Sequence, residues 1–103
     1  MLWIISQVDI TTKEIKNLVF EIKNIRDNYF ILLVNIAEGK ATITIGISDQ
    51  ISKSKNLHAG EIVKDLAKEI NGGGGGQAFF ATAGGSNVKG IDKVLERATT
   101  FIK

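Results

Sequence analysis

The sequence predicts a single small α/β domain in which helices flank a mixed β-sheet. The 103 residues are 44% apolar and 23% charged, which suits one compact domain with a sizeable core. Apolar residues recur at helical spacing in three segments, and short apolar or β-branched runs lie between them. The resulting element order is β-α-β-β-α-β-α. Because parallel neighbours are joined by right-handed crossovers, this order gives a mixed sheet flanked by helices.

The N-terminal part of the chain predicts one strand followed by one helix. Leu2–Val8 is an apolar run that suits a strand buried on both faces. Thr11 and Glu14 have the spacing of a capping box, which predicts a helix from Thr12 to Arg26. Its apolar stripe consists of Ile15, Leu18, Val19, Ile22 and Ile25. Phe20 lies off this stripe, so it belongs either to a wider buried face or to a contact outside this chain.

An antiparallel hairpin is predicted next. Tyr29–Ala37 is almost continuously apolar, which indicates the central strand of a sheet covered on both faces. Ala41–Ser48 alternates between apolar and polar or small residues, as in a strand with one apolar face, and the turn Glu38-Gly39 joins the two strands. The segment SDQISKSKN that follows is polar and is predicted to be a loop.

The second half of the chain predicts helix, strand and helix. The second helix has a buried face made of Ala59, Ile62, Val63, Leu66, Ala67 and Ile70. Asn71-Gly72 is a C-cap signal that ends this helix. The last strand is predicted over Gln77–Ala83 and ends at Gly84-Gly85. Ser86 or Asn87 is then expected to cap a third helix, whose inward face is Ile91, Val94, Leu95, Ala98 and Ile102.

Composition excludes several classes of site. The chain has no cysteine, so disulfides and thiolate metal sites are excluded. No apolar run reaches the roughly 18–20 residues needed to cross a bilayer, and the opening MLWIISQVDI lacks the basic region of a signal peptide. We therefore expect a cytoplasmic protein with no membrane partner. The formal charge of +2 and a pI near 9.0 permit binding to a polyanion without requiring it.

Five consecutive glycines, Gly72–Gly76, precede the last predicted strand. Each costs roughly 0.5–1 kcal/mol of backbone entropy relative to alanine, so the run needs a reason. A phosphate-binding P-loop and a dinucleotide fingerprint are both excluded, because those motifs follow a strand and lead into a helix. Two explanations remain. The run is either a flexible or tightly turned connection, or a surface whose bare backbone lets another backbone approach closely.

A second glycine cluster and six lysines suggest where an anion would bind. Gly84-Gly85-Ser86-Asn87 lies at the predicted start of the third helix, where backbone N–H groups and the helix dipole favour an anion. Lysines occur in the loop before the second helix, on the polar face of that helix and in the first two turns of the third. These are Lys53, Lys55, Lys64, Lys68, Lys89 and Lys93. They form either one basic surface or a set of unrelated solvated side chains.

The stretch from Leu57 to Arg97 resembles the C-terminal domain of bacterial alanyl-tRNA synthetase, which is also the substrate-binding partner domain of DHH-type phosphoesterases. In the synthetases the motif looks like Gly-Gly-Gly-Arg-Pro-x-x-Ala-x-Ala-Gly-Gly. The matching positions here are Gly74, Gly75, Gly76, Ala81, Ala83, Gly84 and Gly85. Gln77 and Ala78 stand where that family often has arginine and proline. The histidine that follows the glycine triplet in the phosphoesterases has no counterpart here.

This resemblance implies a tRNA-binding module that contacts the outer corner of tRNA and helps the parent enzyme in aminoacylation and editing. The implied partners are alanine tRNA and the other domains of the synthetase, whose catalytic and editing domains lie outside residues 1–103. ATP and zinc belong to those other domains, so no cofactor, metal ligand or catalytic residue is expected here. The implied binding residues are the six lysines together with Gly74, Gly75, Gly76, Gln77, Gly84 and Gly85. Phe79 and Phe80 could stack on bases, but alternate strand positions face opposite sides, so at least one is expected in the core.

Two other classes remain open. A fragment of a DHH-type phosphoesterase would need Asp and His residues around metal ions, whereas the only histidine is His58, for which a capping or surface role is expected. A protein-interaction module, including a homodimer, would use the glycine surface. Trp3, Phe20 and Phe101 would be its natural contacts if they were exposed, although core or domain-junction roles are also expected for them.

Overall fold

The computed structural model describes residues 2–101, which form a five-stranded mixed sheet with helices on both faces. The strands are β1 (Leu2–Gln7), β2 (Tyr29–Ala37), β3 (Lys40–Ile47), β4 (Gly72–Gly76) and β5 (Phe80–Gly85). The helices are α1 (Thr12–Ile25), α2 (Asp49–Ser54), α3 (Ala59–Leu66) and α4 (Ile91–Ala98). The strand order is β1-β2-β3-β5-β4, with β1 parallel to β2 and the other neighbours antiparallel. The predicted fold class is confirmed.

The two faces of the sheet carry separate cores. On one face, α3 and α4 pack over alternate residues of β2, β3 and β5, among them Phe30, Ile43 and Ala81. On the other face, α1 packs over β2 and β3 through Ile15 and Val19. The α1 layer stops short of β4, so one side of the β4–β5 hairpin has no helix over it. No helix within residues 2–101 is long and apolar enough to span a membrane.

The predicted capping box opens α1. Thr11 Oγ1 accepts a hydrogen bond from the Glu14 N–H at 3.1 Å, and Glu14 Oε1 accepts one from the Thr11 N–H at 3.1 Å. These bonds hold the pKa of Glu14 below its usual value, because they favour the charged carboxylate. The helix ends at Ile25, which is 77% exposed and so does not belong to the predicted buried stripe.

The positions of two strands and the structure of the segment after β3 differ from the prediction. β1 is an edge strand rather than a strand buried on both faces, and its Trp3 is half exposed. The middle strand is β3, although β2 is still buried along most of its length. The polar segment after β3 is not a loop: it forms the short helix α2, whose cap Ser48 accepts hydrogen bonds from the Ile51 N–H and the Tyr29 N–H. A six-residue helix with two buried positions is too short to show a helical period.

The largest departure is the glycine run, which is neither a loop nor a linker. Gly72–Gly76 forms the edge strand β4 and pairs antiparallel with β5, from Gly72 opposite Gly85 to Gly76 opposite Ala81. Glycine has low strand propensity and no side chain to show a period of two, so the sequence pattern concealed this strand. The hairpin turn is residues 77–79, and β5 therefore begins three residues later than predicted and contains Gly84 and Gly85.

The start of the third predicted helix also differs. A 3-10 turn at Val88–Gly90 precedes α4, and no side chain caps either element. Asn87 instead donates from Nδ2 to the Glu69 carbonyl oxygen at 3.3 Å. The predicted helix cap is wrong because the chain after β5 first packs against the 3-10 turn Ala67–Ile70, which follows α3. Ile102, expected on the inward face, lies outside the described residues.

Alternate glycines of β4 are required by the backbone of β5. A Cβ on Gly74 would overlap the Thr82 carbonyl oxygen and the Ala83 Cα, and one on Gly76 would lie 2.5 Å from the Phe80 carbonyl oxygen. A Cβ on Gly73, in contrast, would meet no atom within 4 Å. The two kinds of glycine therefore differ in what a side chain would cost the fold.

We expect Gly74→Ala to lower the free energy of unfolding by roughly 2 kcal/mol or more, because the contacting atoms are backbone and cannot move aside cheaply. The matched control is Gly73→Ala in the same strand. It should leave stability unchanged or raise it by about 0.4–1 kcal/mol, since alanine restricts the unfolded chain. Urea denaturation followed by circular dichroism measures both. Equal losses in the two variants would contradict the assigned close contact with β5.

Candidate nucleic-acid interface

The glycine strand presents exposed backbone at one edge of the sheet. Four of its five residues are exposed, and within residues 2–101 β5 is its only strand neighbour. The Gln77 N–H donates to the Phe80 carbonyl oxygen at 2.9 Å, so Gln77 and Phe80 are a hydrogen-bonded pair at the end of the β4–β5 hairpin. Since hydrogen-bonded pairs alternate in antiparallel strands, the backbone N–H and C=O groups of Gly72 and Gly74 point away from β5. They are available to an incoming hydrogen-bonding partner.

A shallow hollow of about 420 Å³ lies beside this strand, next to the N-terminus of α1. Its floor consists of Gly73–Gly75 and Gly84 with Thr42, Thr82 and Ala83, and its wall consists of Thr12 and Lys16. We call it the glycine hollow. The start of a helix carries partial positive charge, and Lys16 adds a full positive charge one turn later. The Glu14 carboxylate, bonded to the Thr11 N–H, offsets part of the charge at the helix start, so the hollow combines bare backbone with Lys16 as its main attraction for anions.

Unusual buried polar groups border the glycine hollow. Asn35 donates from Nδ2 to the Thr12 Oγ1 at 3.2 Å. Asn35 Oδ1 and Thr44 Oγ1, both buried, have no hydrogen-bond partner within residues 2–101. In the sheet, Asn35 lies opposite Thr42 and Thr44 lies opposite Thr82. A polar band thus crosses the otherwise apolar layer under α1 and ends at the glycine hollow.

A second hollow of about 490 Å³ lies at the other end of α1. Its lining combines four aromatic side chains with charged, polar and aliphatic ones: Phe20, Tyr29, Phe79 and Phe80, then Lys23, Arg26, Asp27, Asp49, Ser48, Gln77, Val19 and Ile47. We call it the aromatic hollow. Phe20 and Phe80 stack with ring centroids 5.6 Å apart and an angle of 22° between the rings. Burial raises the pKa of Tyr29, because removal from water disfavours the charged phenolate.

Both hollows lie along one face of α1, and sequence analysis missed the basic residues on that face. Lys16, Phe20 and Lys23 have the spacing i, i+4, i+7, which places them on one side of a helix. Only the apolar stripe of this segment was used to predict its role. The off-stripe position of Phe20 was the one signal available, and its contact proves to be Phe80 within the same chain.

The predicted glycine and glutamine residues lie close together. Gly74, Gly75 and Gly84 line the glycine hollow, and Gln77 lines the aromatic hollow. Gly85 is buried, and a Cβ there would overlap the Ile70 carbonyl oxygen. Because β5 has a strand on each side, the backbone N–H groups of Gly84 and Gly85 belong to the sheet ladder. The anion site expected at Gly84–Asn87 is therefore not formed as predicted, since no helix starts there.

The six predicted lysines do not form one surface. Lys64 lies against the glycine strand, with its Cε 3.2 Å from the position of a Cβ on Gly75. Lys53 pairs with Asp49 at 3.3 Å and Lys68 lies 3.9 Å from Asp65. The pair Lys53 and Lys55 follows the end of β3, whereas Lys89 and Lys93 follow the end of β5. Since β3 and β5 are antiparallel, these two pairs lie at opposite ends of the sheet.

The remaining chemistry-bearing candidates have structural roles. His58 caps α3: its Nδ1 accepts a hydrogen bond from the Glu61 N–H at 3.3 Å, as predicted. Phe101 packs partly buried against the core, whereas Trp3 and Phe20 are about half exposed. Within residues 2–101, no group of three or more His, Asp or Glu side chains is arranged to hold a metal ion.

These features define a domain with an exposed glycine strand, and comparison with known proteins places it in a family. Residues 2–103 match the model of the DHHA1 domain, and the chain belongs to that family. It is 46% identical over 97 residues to the alanine–tRNA ligase of Christiangramia forsetii, covering 94% of this chain and 11% of that protein. It is 39% identical over 88 residues to the alanine–tRNA ligase of Cytophaga hutchinsonii, covering 85% of this chain and 10% of that protein.

A solved structure has the same fold. The C-Ala domain of Aquifex aeolicus alanyl-tRNA synthetase superimposes with a TM-score of 0.78 at 21% identity, covering 97% of this chain and 87% of that one. The family predicted from the glycine motif is confirmed. The chain spans about a tenth of the length of the curated relatives it matches.

Thr44→Val tests the polar band. Valine keeps the shape of threonine and removes the unpaired hydroxyl, so we expect the free energy of unfolding to rise by about 1 kcal/mol. Thr42→Val, at the partly exposed neighbour on the same face, is the control and should change stability by no more than about 0.5 kcal/mol. Urea denaturation measures both. A loss of stability in Thr44→Val would mean that the hydroxyl is hydrogen-bonded after all.

Proposed function

We propose that this domain is the tRNA-binding C-terminal module of an alanine–tRNA ligase. It holds the outer corner of the L-shaped tRNA and so supports aminoacylation and editing by the rest of the enzyme. The observation that carries the proposal is the glycine hollow, where bare backbone faces solvent between lysines contributed by two helices. The family match and the identity to alanine–tRNA ligases support alanine tRNA as the RNA partner in this proposal.

Three glycines of the hollow have no packing reason to lack a side chain. A Cβ on Gly73 would meet no atom within 4 Å, and one on Gly84 would meet only the Ala41 carbonyl oxygen at 3.9 Å. One on Gly75 would meet only the flexible end of Lys64. Bare backbone at these positions serves the open side of the strand, because it allows a sugar-phosphate chain to approach closely.

Four cations near the hollows supply the electrostatic attraction. Lys16 borders the glycine hollow, Lys64 lies against its strand, and Lys23 and Arg26 line the aromatic hollow. None of the four forms a salt bridge within residues 2–101, so their charges are available to phosphates. The other predicted lysines form an outer set that strengthens long-range attraction to the RNA: Lys53, Lys55, Lys68, Lys89 and Lys93.

Recognition of this kind reads shape and phosphate positions. Phosphate contacts set the position and orientation of a protein on a nucleic acid but carry no sequence information. We therefore expect alanine tRNA and unrelated tRNAs to bind with similar affinity. The choice of tRNA, the ligation chemistry, ATP and zinc all belong to the rest of the ligase, and we assign no catalytic step or cofactor to this domain. Its place of action would be the cytoplasm.

A second copy of this chain is the alternative partner. β4 is an edge strand with exposed backbone, and such an edge can pair with a strand of another molecule. Trp3, half exposed on the opposite edge strand, suits a contact with another domain of the ligase. Sedimentation velocity separates the possibilities, since a tight dimer without tRNA affinity would favour self-association. A phosphoesterase role is not favoured, because the curated relatives reported above are ligases.

The salt dependence of tRNA binding tests the electrostatic part. With four phosphate contacts, affinity should fall roughly a hundredfold between about 50 and 200 mM salt, for alanine tRNA and for an unrelated tRNA. The double variant Lys16→Gln/Lys23→Gln should reduce the slope of log K against log salt by about 2. Lys89→Gln/Lys93→Gln removes the same charge from the start of α4 and the turn before it, on the opposite face of the sheet, and is the matched control. If only the control lowers the slope, the interface lies elsewhere.

A side chain added to the glycine hollow tests the backbone contact. Gly84→Ala has room in the folded protein, because its Cβ would meet only the Ala41 carbonyl oxygen at 3.9 Å, so stability should be preserved or raised. Filling the hollow should weaken tRNA binding by roughly tenfold, or about 1.4 kcal/mol. Fluorescence anisotropy with labelled tRNA measures the affinity, and urea denaturation confirms folding. Unchanged affinity in a stable variant would refute contact between the RNA and the glycine hollow.

A further inference from the structure

We infer that the aromatic hollow is a nucleobase site: an unstacked base of the bound RNA inserts beside Phe20 and Phe79, while Lys23 and Arg26 hold the adjoining phosphates. This inference rests on the proposed function and names the chemical unit that one part of the interface recognises. It is carried by the aromatic arrangement, by the free polar groups beside it and by its continuity with the glycine strand.

The aromatic side chains form a surface that the chain itself leaves open. Phe20 is 51% exposed and Phe79 is 42% exposed, although both line the same hollow. Phe80 is partly buried and fixes Phe20 by stacking at 5.6 Å. A phenyl group held in place in this way loses little entropy when a base stacks on it. Every base has an aromatic face, so such a site accepts bases without strong preference for sequence.

Polar groups at the hollow match the edge and the phosphates of a nucleotide. The Gln77 side chain lines the hollow and makes no hydrogen bond within residues 2–101, so its amide can bond to the edge of a base. Lys23 and Arg26 are unpaired in the same part of the chain. Of the two carboxylates that line the hollow, Asp49 pairs with Lys53 at 3.3 Å, which leaves Asp27 beside Lys23 and Arg26. Counted with Lys53, the hollow carries a net positive charge.

Continuity with the glycine strand favours RNA over a protein segment as the occupant. Gln77 directly follows Gly76, so a nucleic-acid backbone that runs along β4 arrives at the aromatic hollow. Lys16 and Lys23 lie at the two ends of the path on the α1 side. An apolar protein segment would gain from the phenyl rings but would leave the two cations of the aromatic hollow without a partner. A nucleotide satisfies both.

The test combines two aromatic variants with a matched control in the 103-residue chain. Phe20→Ala and Phe79→Ala should each weaken tRNA binding by roughly tenfold without changing the salt slope, because stacking releases no counterions. Trp3→Ala removes an equally exposed aromatic from the far edge of the sheet and should change affinity less than about twofold. Wild-type affinity in both phenylalanine variants, with salt-dependent binding retained, would overturn the nucleobase site and leave the proposed function standing.

A second measurement is independent of tRNA. Proton NMR of the wild-type chain, titrated with a single-stranded RNA tetranucleotide, should show upfield ring-proton shifts at Phe20 and Phe79. The same titration with an abasic tetranucleotide should leave those rings unshifted, and equal shifts would overturn the inference. Ring shifts with the tetranucleotide, in a chain that does not bind tRNA, would support the base site and refute the proposed function. Self-association abolished by Phe79→Ala, without ring shifts from RNA, would assign the hollow to a second copy instead.

Discussion

Direct contact between backbones at glycine holds the second half of this domain together. A Cβ would collide with a neighbouring backbone at six glycines: Gly60, Gly72, Gly74, Gly76, Gly85 and Gly90. These contacts join β4 to β5 and the start of α3 to the end of β4. They also join the 3-10 turn before α4 to the 3-10 turn Ala67–Ile70, which follows α3. Because no side chain separates these elements, the hairpin lies tight against α3. Glycine loses more backbone entropy on folding than any other residue, and this close packing of the backbone requires that cost.

The position of the hairpin decides where the candidate surface lies. β4 extends the sheet beyond α1, so one side of the hairpin remains largely open while α3 covers the other. The open side meets the N-terminus of α1 at one end and the aromatic side chains at the other. Asn35 and Thr44 place unpaired polar atoms at this border, where the apolar layer gives way to solvent. The interface is thus a consequence of a helix layer that is narrower than the sheet it covers.

Most of the fold was predictable from sequence, because α1, β3 and α3 have clear apolar periods, β2 is a continuous apolar run, and flanking signals such as the capping box at Thr11 mark where elements begin. The strand Gly72–Gly76 was not predictable from a period, since glycine has no side chain to alternate. The family motif located the glycines of the candidate site, and Lys64 lies within the resembling stretch, but the other three cations were missed. Lys16 and Lys23 lie on α1 and Arg26 directly follows it, far from the motif in sequence, and only the folded sheet brings α1 beside the hairpin.

The glycines of the run divide into two groups, and that division separates packing from function. Gly72, Gly74 and Gly76 lack side chains because β5 leaves no space for them. Gly73 has open space, and Gly75 meets only a lysine side chain that can move. A domain selected for stability alone would gain by placing a β-branched residue at Gly73, where the strand would be strengthened at no steric cost. Retaining glycine on the open side is therefore best explained by a ligand that needs the backbone itself, and a sugar-phosphate chain meets that requirement.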